Sequence, residues 1–257
     1  MPSVLWETRG AVTRLRLNRP ESLNALDAAT AKEFKAAVKR IARERSRVVI
    51  LTGAGSAFCA GGDLGFIEGN TRRRKEELYP LMRGFYQSFL DIQKLPQVTI
   101  AQINGAAVGA GLCLALACDL RAATAEAKLA FNFVRLGLNP GLAAWPLALR
   151  AFGDAKAREL LFTGRFFTGQ DLHAWGAASV AAKTAEALEG HASALALEIA
   201  AHSSVALRHL KTETRLSSRL EPFLKLEARG QAEAFKSPDI VEGVAAIKER
   251  RPPRFQV

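Results

Sequence analysis

Two glycine-rich turns carry the residues best suited to chemistry, and each follows a short apolar run. Gly53-Ala54-Gly55 and then Phe58-Cys59-Ala60-Gly61-Gly62-Asp63-Leu64 come after Val48-Val49-Ile50-Leu51. Asn104-Gly105 with Gly109-Ala110-Gly111 comes after Val98-Thr99-Ile100-Ala101-Gln102-Ile103. Small residues let the backbone approach a ligand, and a strand-turn-helix junction leaves N–H groups whose partial positive charge favours an oxyanion. Two such junctions can converge on one carbonyl oxygen; taken singly, each also serves a tight turn or close helix packing. Neither has the spacing of a phosphate loop or of a dinucleotide fingerprint. Cys59, Cys113 and Cys118 form no CxxC pair, which gives neither a disulfide framework nor a zinc site and fits a reducing compartment. His173, His191, His202 and His209 fall in the second half without metal-ligand spacing, so no metal, flavin or nicotinamide cofactor is expected.

The turns must be held by strands and helices. Val4-Leu5-Trp6 and Val12 to Leu17 alternate around Gly10 as a hairpin, not as a signal peptide. Val48 to Leu51 and Val98 to Ile103 read as buried strands, with Leu120 to Ala123 and Lys128 to Phe131 as further strands. Phe34, Val38 and Ile41 recur at helical spacing behind Asp27 or Thr30 as N-cap, and a small-residue helix runs from Gly109 to Cys118. Gly65 to Lys94 reads as a mobile loop containing Arg72-Arg73-Arg74-Lys75, followed by a helix through Leu78, Met82, Phe85 and Phe89. Beyond Pro146 the pattern is helix after helix. The expected organisation is an α/β core over residues 1–195 and a helical region over 196–257.

Composition excludes several classes. At 257 residues, 49% hydrophobic and 24% charged, the chain is neither disordered nor fibrous. Its longest apolar stretch, Ala106 to Cys118, falls short of the roughly 18 residues that span a bilayer, so no membrane role is expected. The 36 Lys and Arg against 25 Asp and Glu leave +11, a surface that attracts anions.

Four ordered motifs carry a resemblance: Arg19-Pro-x-x-x-Asn24-Ala-Leu26, Phe58-x-Ala60-Gly61-x-Asp63-Leu64, Asn104-Gly-x-Ala107-x-Gly109-x-Gly111 and Leu161-x-Thr163-Gly164-Arg165. Together they resemble the crotonase, or enoyl-CoA hydratase/isomerase, superfamily from Val12 to the Lys248-Glu-Arg-Arg-Pro-Pro tail. The resemblance implies an α/β crotonase fold: a ββα-spiral core with a C-terminal helical trimerisation region, assembled as a homotrimer or dimer of trimers in the cytoplasm. It implies an acyl thioester of coenzyme A or of an acyl carrier protein as substrate, with no separate cofactor. The oxyanion hole then falls on the N–H groups of Ala60 and Ala110. By the same resemblance Glu21, Ser22 and Leu23 share the adenine end of the carrier with the tail of a neighbouring subunit, and Ala25, Gly61, Gly62, Asp63, Leu64, Gly109, Cys113, Phe133 and Pro140 are the other expected substrate-binding residues. Arg19, the Arg72 to Lys75 run, Lys248, Arg250 and Arg251 are then candidates to meet the phosphates of coenzyme A, with solvated surface as the other reading.

The chain also departs from the family. Hydration needs two carboxylates, one to orient water and one to handle the proton. The first position is Cys113 and the second is Phe133, while Gly141 stands where some isomerases and dehalogenases resemble one another in an Asp. Two enzymatic readings stay open: another acid, with Glu68, Tyr79 or Lys75 as candidates for proton transfer, or decarboxylation, in which loss of CO2 forms the enolate directly. Asn132-Phe133-x-x-x-Gly137 with Pro140-Gly141 resembles the enoyl-thioester decarboxylases of polyketide β-branching, which also lack both glutamates. A non-catalytic acyl-thioester or RNA binder is the third reading. Lys32, Lys35, Lys39, Arg40, Arg43, Arg45 and Arg47 make a basic helix, but aromatics total 7% and none interleave with those charges, so RNA is not expected.

Overall fold

The structure is a computed structural model that describes residues 1–71 and 75–215, with Glu249, Arg251 and Arg254. Strand β1 (Val4–Arg9) pairs antiparallel with β2 (Val12–Leu17), the hairpin that their alternation predicts. β2 then lies parallel to β3 (Val48–Gly53), β3 to β5 (Val98–Ile103), β5 to β7 (Leu120–Thr124), and β7 to the two-residue β10 (Ala181–Ala182). All six residues of β3 and of β5 are buried, which is why both read as continuous apolar runs and not as alternating ones.

A second sheet is built from the segments that follow. β4 (Ala57–Cys59), β6 (Ala106–Val108), β8 (Lys128–Ala130) and β9 (Phe167–Thr168) form it in that order. Three times the chain lays one strand in the large sheet and the next in the small one: β3 then β4, β5 then β6, β7 then β8. This is the ββα spiral that the resemblance implies. Six of the nine residues in these second strands are Ala, Val or Cys.

The helices close the spiral. Helix α1 (Ala28–Ile41) is N-capped by Asp27, whose Oδ1 accepts the Thr30 N–H at 2.7 Å, and turns Phe34, Val38 and Ile41 inward. The basic run divides at its end, since Arg43, Arg45 and Arg47 lie beyond Ile41 and Arg47 donates to the Ala200 carbonyl at 2.7 Å. Helix α2 (Leu64–Thr71) precedes α3 (Lys75–Leu90), and the first of them corrects the loop expected after Gly65. Its N-terminus is held by Asp63, whose Oδ1 accepts the Phe66 N–H at 3.1 Å. Leu-Gly-Phe-Ile-Glu-Gly has no apolar stripe, so this helix has no periodic signature.

Helix α4 (Ala110–Ala117) has every residue buried and sits between the sheets and α5 (Ala144–Phe152). Helices α6 (Asp154–Thr163) and α7 (Gly169–Ala174) follow. Strands β9 and β10 correct the purely helical second half; two residues each are too few to alternate. Helix α8 (Ala185–Ala200) lays Leu188, Ala192, Ala196 and Ala200 on the large sheet and runs unbroken through residues 195 and 196. Helix α9 (Ser204–Arg215) is pinned by an ion pair from Lys211 to Asp119 at 2.7 Å. Residues 216–248, and with them most of the expected trimerisation region, lie outside the described residues.

Candidate active site

The first turn leaves β4 at Cys59 and enters α2 at Leu64. Across it runs the segment after the Arg19-Pro20 motif. The Ala60 N–H donates to the Leu23 carbonyl at 2.9 Å, Leu26 N–H to the Gly61 carbonyl at 2.7 Å, and Asp63 N–H to the Leu26 carbonyl at 2.9 Å. The expectation that Ala60 donates to an oxyanion is therefore corrected, because its N–H is already engaged by Leu23. Gly61, at φ +99°, swings the next peptide out of this series, and the Gly62 N–H makes no hydrogen bond to a described residue.

The second turn runs from β6 into α4. Gly109 donates to the Ala130 carbonyl at 2.8 Å and caps the helix at φ +54°. Ala110 is the first helical residue, so its N–H is one of the donors that helix geometry leaves over, and it too meets no described acceptor. The two turns touch. A Cβ placed on Gly61 would lie 2.7 Å from the Val108 carbonyl oxygen and 3.7 Å from the Ala110 nitrogen, and one on Gly111 would collide with Cys59. Gly62 and Ala110 thus both border one cleft, with α4 beginning at the second.

That cleft encloses about 900 Å³. Glu21, Ser22, Leu23 and Ala25 border it on one side, and Ala60, Gly61, Gly62, Asp63 and Leu64 on the next. Gly109, Ala110, Phe133 and Pro140 complete the expected set. Cys113 does not join them: it is fully buried, with its Sγ 3.7 Å from the Gly141 carbonyl, so it has no surface to offer a ligand. Burial pushes its thiol up, and the Cys59 thiol up to about 12, so both are neutral and unreactive.

Several motif residues are fasteners. Asn24, 1% exposed and at φ +58°, accepts the Arg19 N–H at 2.9 Å and donates to the Ala54 and Ala57 carbonyls at 2.8 Å. Asn104 accepts the Gly53 N–H at 3.1 Å and donates to the Gly55 carbonyl at 3.0 Å. Arg19 is an internal clamp and not a phosphate ligand. Its guanidinium pairs with Asp27 at 2.9 Å and Asp63 at 3.4 Å, and donates to the Ala25 carbonyl at 2.8 Å. Asp63 is thereby committed to Arg19 and to the α2 N-terminus.

Glu68 falls on α2 and Lys75 opens α3; their side chains lie outside the described part of the structure, as do residues 72–74 and Lys248. Arg251 pairs with Glu249 at 2.6 Å. Several cleft residues escaped the sequence reading, among them Phe66, Ile67, Asn70 and Leu138 beside Tyr86. Tyr86, on α3, reaches Gly141 so closely that a Cβ there would overlap its hydroxyl. It sits one residue after the Phe85 of the apolar stripe, and α3 has no sequence motif that marks it.

Among the described residues no group of three or more His, Cys, Asp or Glu could hold a metal ion, and no helix is long and apolar enough to cross a membrane. The family model for enoyl-CoA hydratase/isomerase matches residues 7–257. A Thermus thermophilus protein whose enoyl-CoA hydratase name is provisional is 36% identical over 251 residues, covering 96% of this chain and 98% of its own. The mitochondrial methylglutaconyl-CoA hydratase of Mus musculus is 33% identical over 257 residues, covering 97% and 81%. The crystal structure of an enoyl-CoA hydratase from Bacillus anthracis superposes with a TM-score of 0.91 at 31% identity, covering 98% of each chain. With its spiral of ββα units and this similarity along its whole length, the chain belongs to the enoyl-CoA hydratase/isomerase family of the crotonase superfamily.

Proposed function

We propose that this protein binds an acyl thioester in the cleft and stabilises its enolate between the N–H groups of Gly62 and Ala110. The observation that carries the reading is their convergence: two amides without described partners, on adjoining turns, bordering one largely apolar cleft. In such a setting each donor is worth about 3–4 kcal/mol to a developing oxyanion. Family membership supports coenzyme A as the carrier, and the methylglutaconyl-CoA hydratase among its relatives makes 3-methylglutaconyl-CoA a sensible first substrate beside crotonyl-CoA. A homotrimer or dimer of trimers, assembled through residues 196–257, belongs to the same reading.

Decarboxylation of a carboxylated acyl thioester is the favoured alternative to hydration. A buried thiol at 113, a phenyl ring at 133 and a glycine at 141 leave the three familiar acid positions without a carboxylate. Loss of CO2 needs none, because the breaking C–C bond itself delivers the enolate.

The test uses Ala110→Pro, which removes one donor where proline is well tolerated, at the first position of a helix. Wild-type protein is incubated in deuterated water with crotonyl-CoA or 3-methylglutaconyl-CoA, and 3-hydroxyacyl product, CO2 and deuterium uptake are followed by mass spectrometry. Turnover that falls about 10²- to 10³-fold in the variant supports the reading. Turnover unaffected by Ala110→Pro refutes it. CO2 with deuterium in the product selects decarboxylation, and a 3-hydroxyacyl product selects hydration.

A further inference from the structure

We infer that the Tyr86 hydroxyl is the group that delivers a proton to the thioester enolate; the inference rests on the enolate-stabilising reading above. Gly141 and Tyr86 are complementary in space. At the position where the resemblance would put an Asp there is no side chain, and the phenol from α3 stands in the room so left, since a Cβ on Gly141 would overlap its oxygen and ring. A short path of contacts connects this phenol to the oxyanion donors. Ala110 opens α4, Cys113 follows one turn later, its Sγ meets the Gly141 carbonyl at 3.7 Å, and Tyr86 lies against Gly141. Tyr86, Gly141, Phe133 and Ala110 border the same cleft as Gly62.

The hydroxyl is also unengaged. It makes no hydrogen bond to a described residue, whereas Asp63, a carboxylate of the same cleft, is held by Arg19 and by the start of α2. Glu21 is exposed at the cleft border. The ring is braced from its own helix, with Phe85 at 5.8 Å edge-on and Phe66 of α2 stacked on Phe85 at 4.7 Å. Burial pushes the phenol above its ordinary value of 10.0, with the Cys113 thiol acting in the same direction, so Tyr86 carries its proton at neutral pH.

In a decarboxylation the C–C bond to the carboxylate breaks, at the α-carbon of methylmalonyl-CoA or at the γ-carbon of 3-methylglutaconyl-CoA, CO2 leaves, and the electron pair enters the thioester as an enolate or, through the conjugated double bond, a dienolate. The Tyr86 O–H bond then breaks, its proton forms the new C–H bond with the enolate pair, and the thioester carbonyl re-forms. The phenolate takes a proton from water, and the site is restored.

The test is Tyr86→Phe in the full chain, with Glu68→Gln alongside, assayed on 3-methylglutaconyl-CoA, methylmalonyl-CoA and crotonyl-CoA. A positioned general acid contributes about 10²- to 10⁴-fold, so kcat of Tyr86→Phe should fall at least about 100-fold. The Kd for coenzyme A thioester should stay within about twofold, because the ring and the amides remain. A merely structural tyrosine would lower binding and melting temperature together with kcat, and that pattern overturns the inference. So does a Tyr86→Phe rate near wild type, or loss confined to Glu68→Gln. If the wild-type protein turns over none of the three thioesters, the functional reading itself fails and takes the inference with it, an outcome distinct from an active enzyme indifferent to position 86.

Discussion

Gly61→Ala probes the spacing of the two turns. The residue sits at φ +99°, where an L side chain is strained by about 1–3 kcal/mol. Its new Cβ would lie 2.7 Å from the Val108 carbonyl, about 0.7 Å inside ordinary contact, and the neighbour is backbone that cannot rotate away. The junction must therefore open by a comparable distance, carrying the Ala110 amide, 3.7 Å from the same point, away from Gly62. One full donor is worth about 3–4 kcal/mol. Losing about half of it raises the pKa of a bound enolisable thioester by roughly one unit, at 1.36 kcal/mol per unit. Acetoacetyl-CoA reports this directly, because its enolate absorbs in the ultraviolet. Donors that favour the enolate lower the pH at which it forms, so the variant should need a higher pH for half conversion. An unchanged midpoint in a variant that still binds the thioester would show that these two turns do not set the geometry of the hole.

Replacing Arg19 by Met leaves Asp27 and Asp63, both less than one-third exposed, without their cation. The variant should lose about 1–3 kcal/mol, read as a melting temperature lower by about 2–4 °C for each kcal/mol. Asn24→Ala removes three hydrogen bonds of a buried side chain and puts a β-carbon of less tolerant type at φ +58°, at a cost of about 2–4 kcal/mol by chemical denaturation. Phe34→Ala empties a fully buried site against Phe89 and should cost about 3–5 kcal/mol in the same assay. The buried thiols set an alkaline limit. Cys59 and Cys118 are raised from 9.0 to about 12, so the unfolded chain ionises first; stability is full below pH 9 and declines as pH rises from there toward 12. Melting curves across that range should show the decline, and a thiol reagent at pH 8 should label none of the three cysteines until the protein unfolds.

The strands were legible where burial on both faces made them uniform, as in Val48 to Leu51 and Val98 to Ile103, and so were the two glycine turns. Which amide is left without a partner was not legible. Ala60 and Gly62 are both small residues of the same motif, and the choice is made by Leu23, a residue 37 positions before Ala60 whose carbonyl takes the Ala60 N–H. Arg19 reads as a phosphate ligand because charge is visible in a sequence while its pairing is not: Asp63 is 44 positions away, and Asp27, though near, serves visibly as a helix cap. Tyr86 was hidden for a similar reason. Its meaning comes from the empty space over Gly141, and absence of a side chain 55 residues away leaves no mark on helix α3.

The complete burial of α4 has an electrical consequence. Mobile ions attenuate fields between exposed charges over about 8 Å at physiological ionic strength, so attraction of an anion to the +11 surface weakens as salt rises. They do not enter the packed layer around Ala110 to Ala117, where every residue is buried and only the Ala110 end borders the cleft. The dipole is thus shielded from the medium along its length and meets it only at the cleft. Capture of the charged carrier and stabilisation of the enolate should respond differently to ionic strength, the first falling as salt is added and the second holding constant.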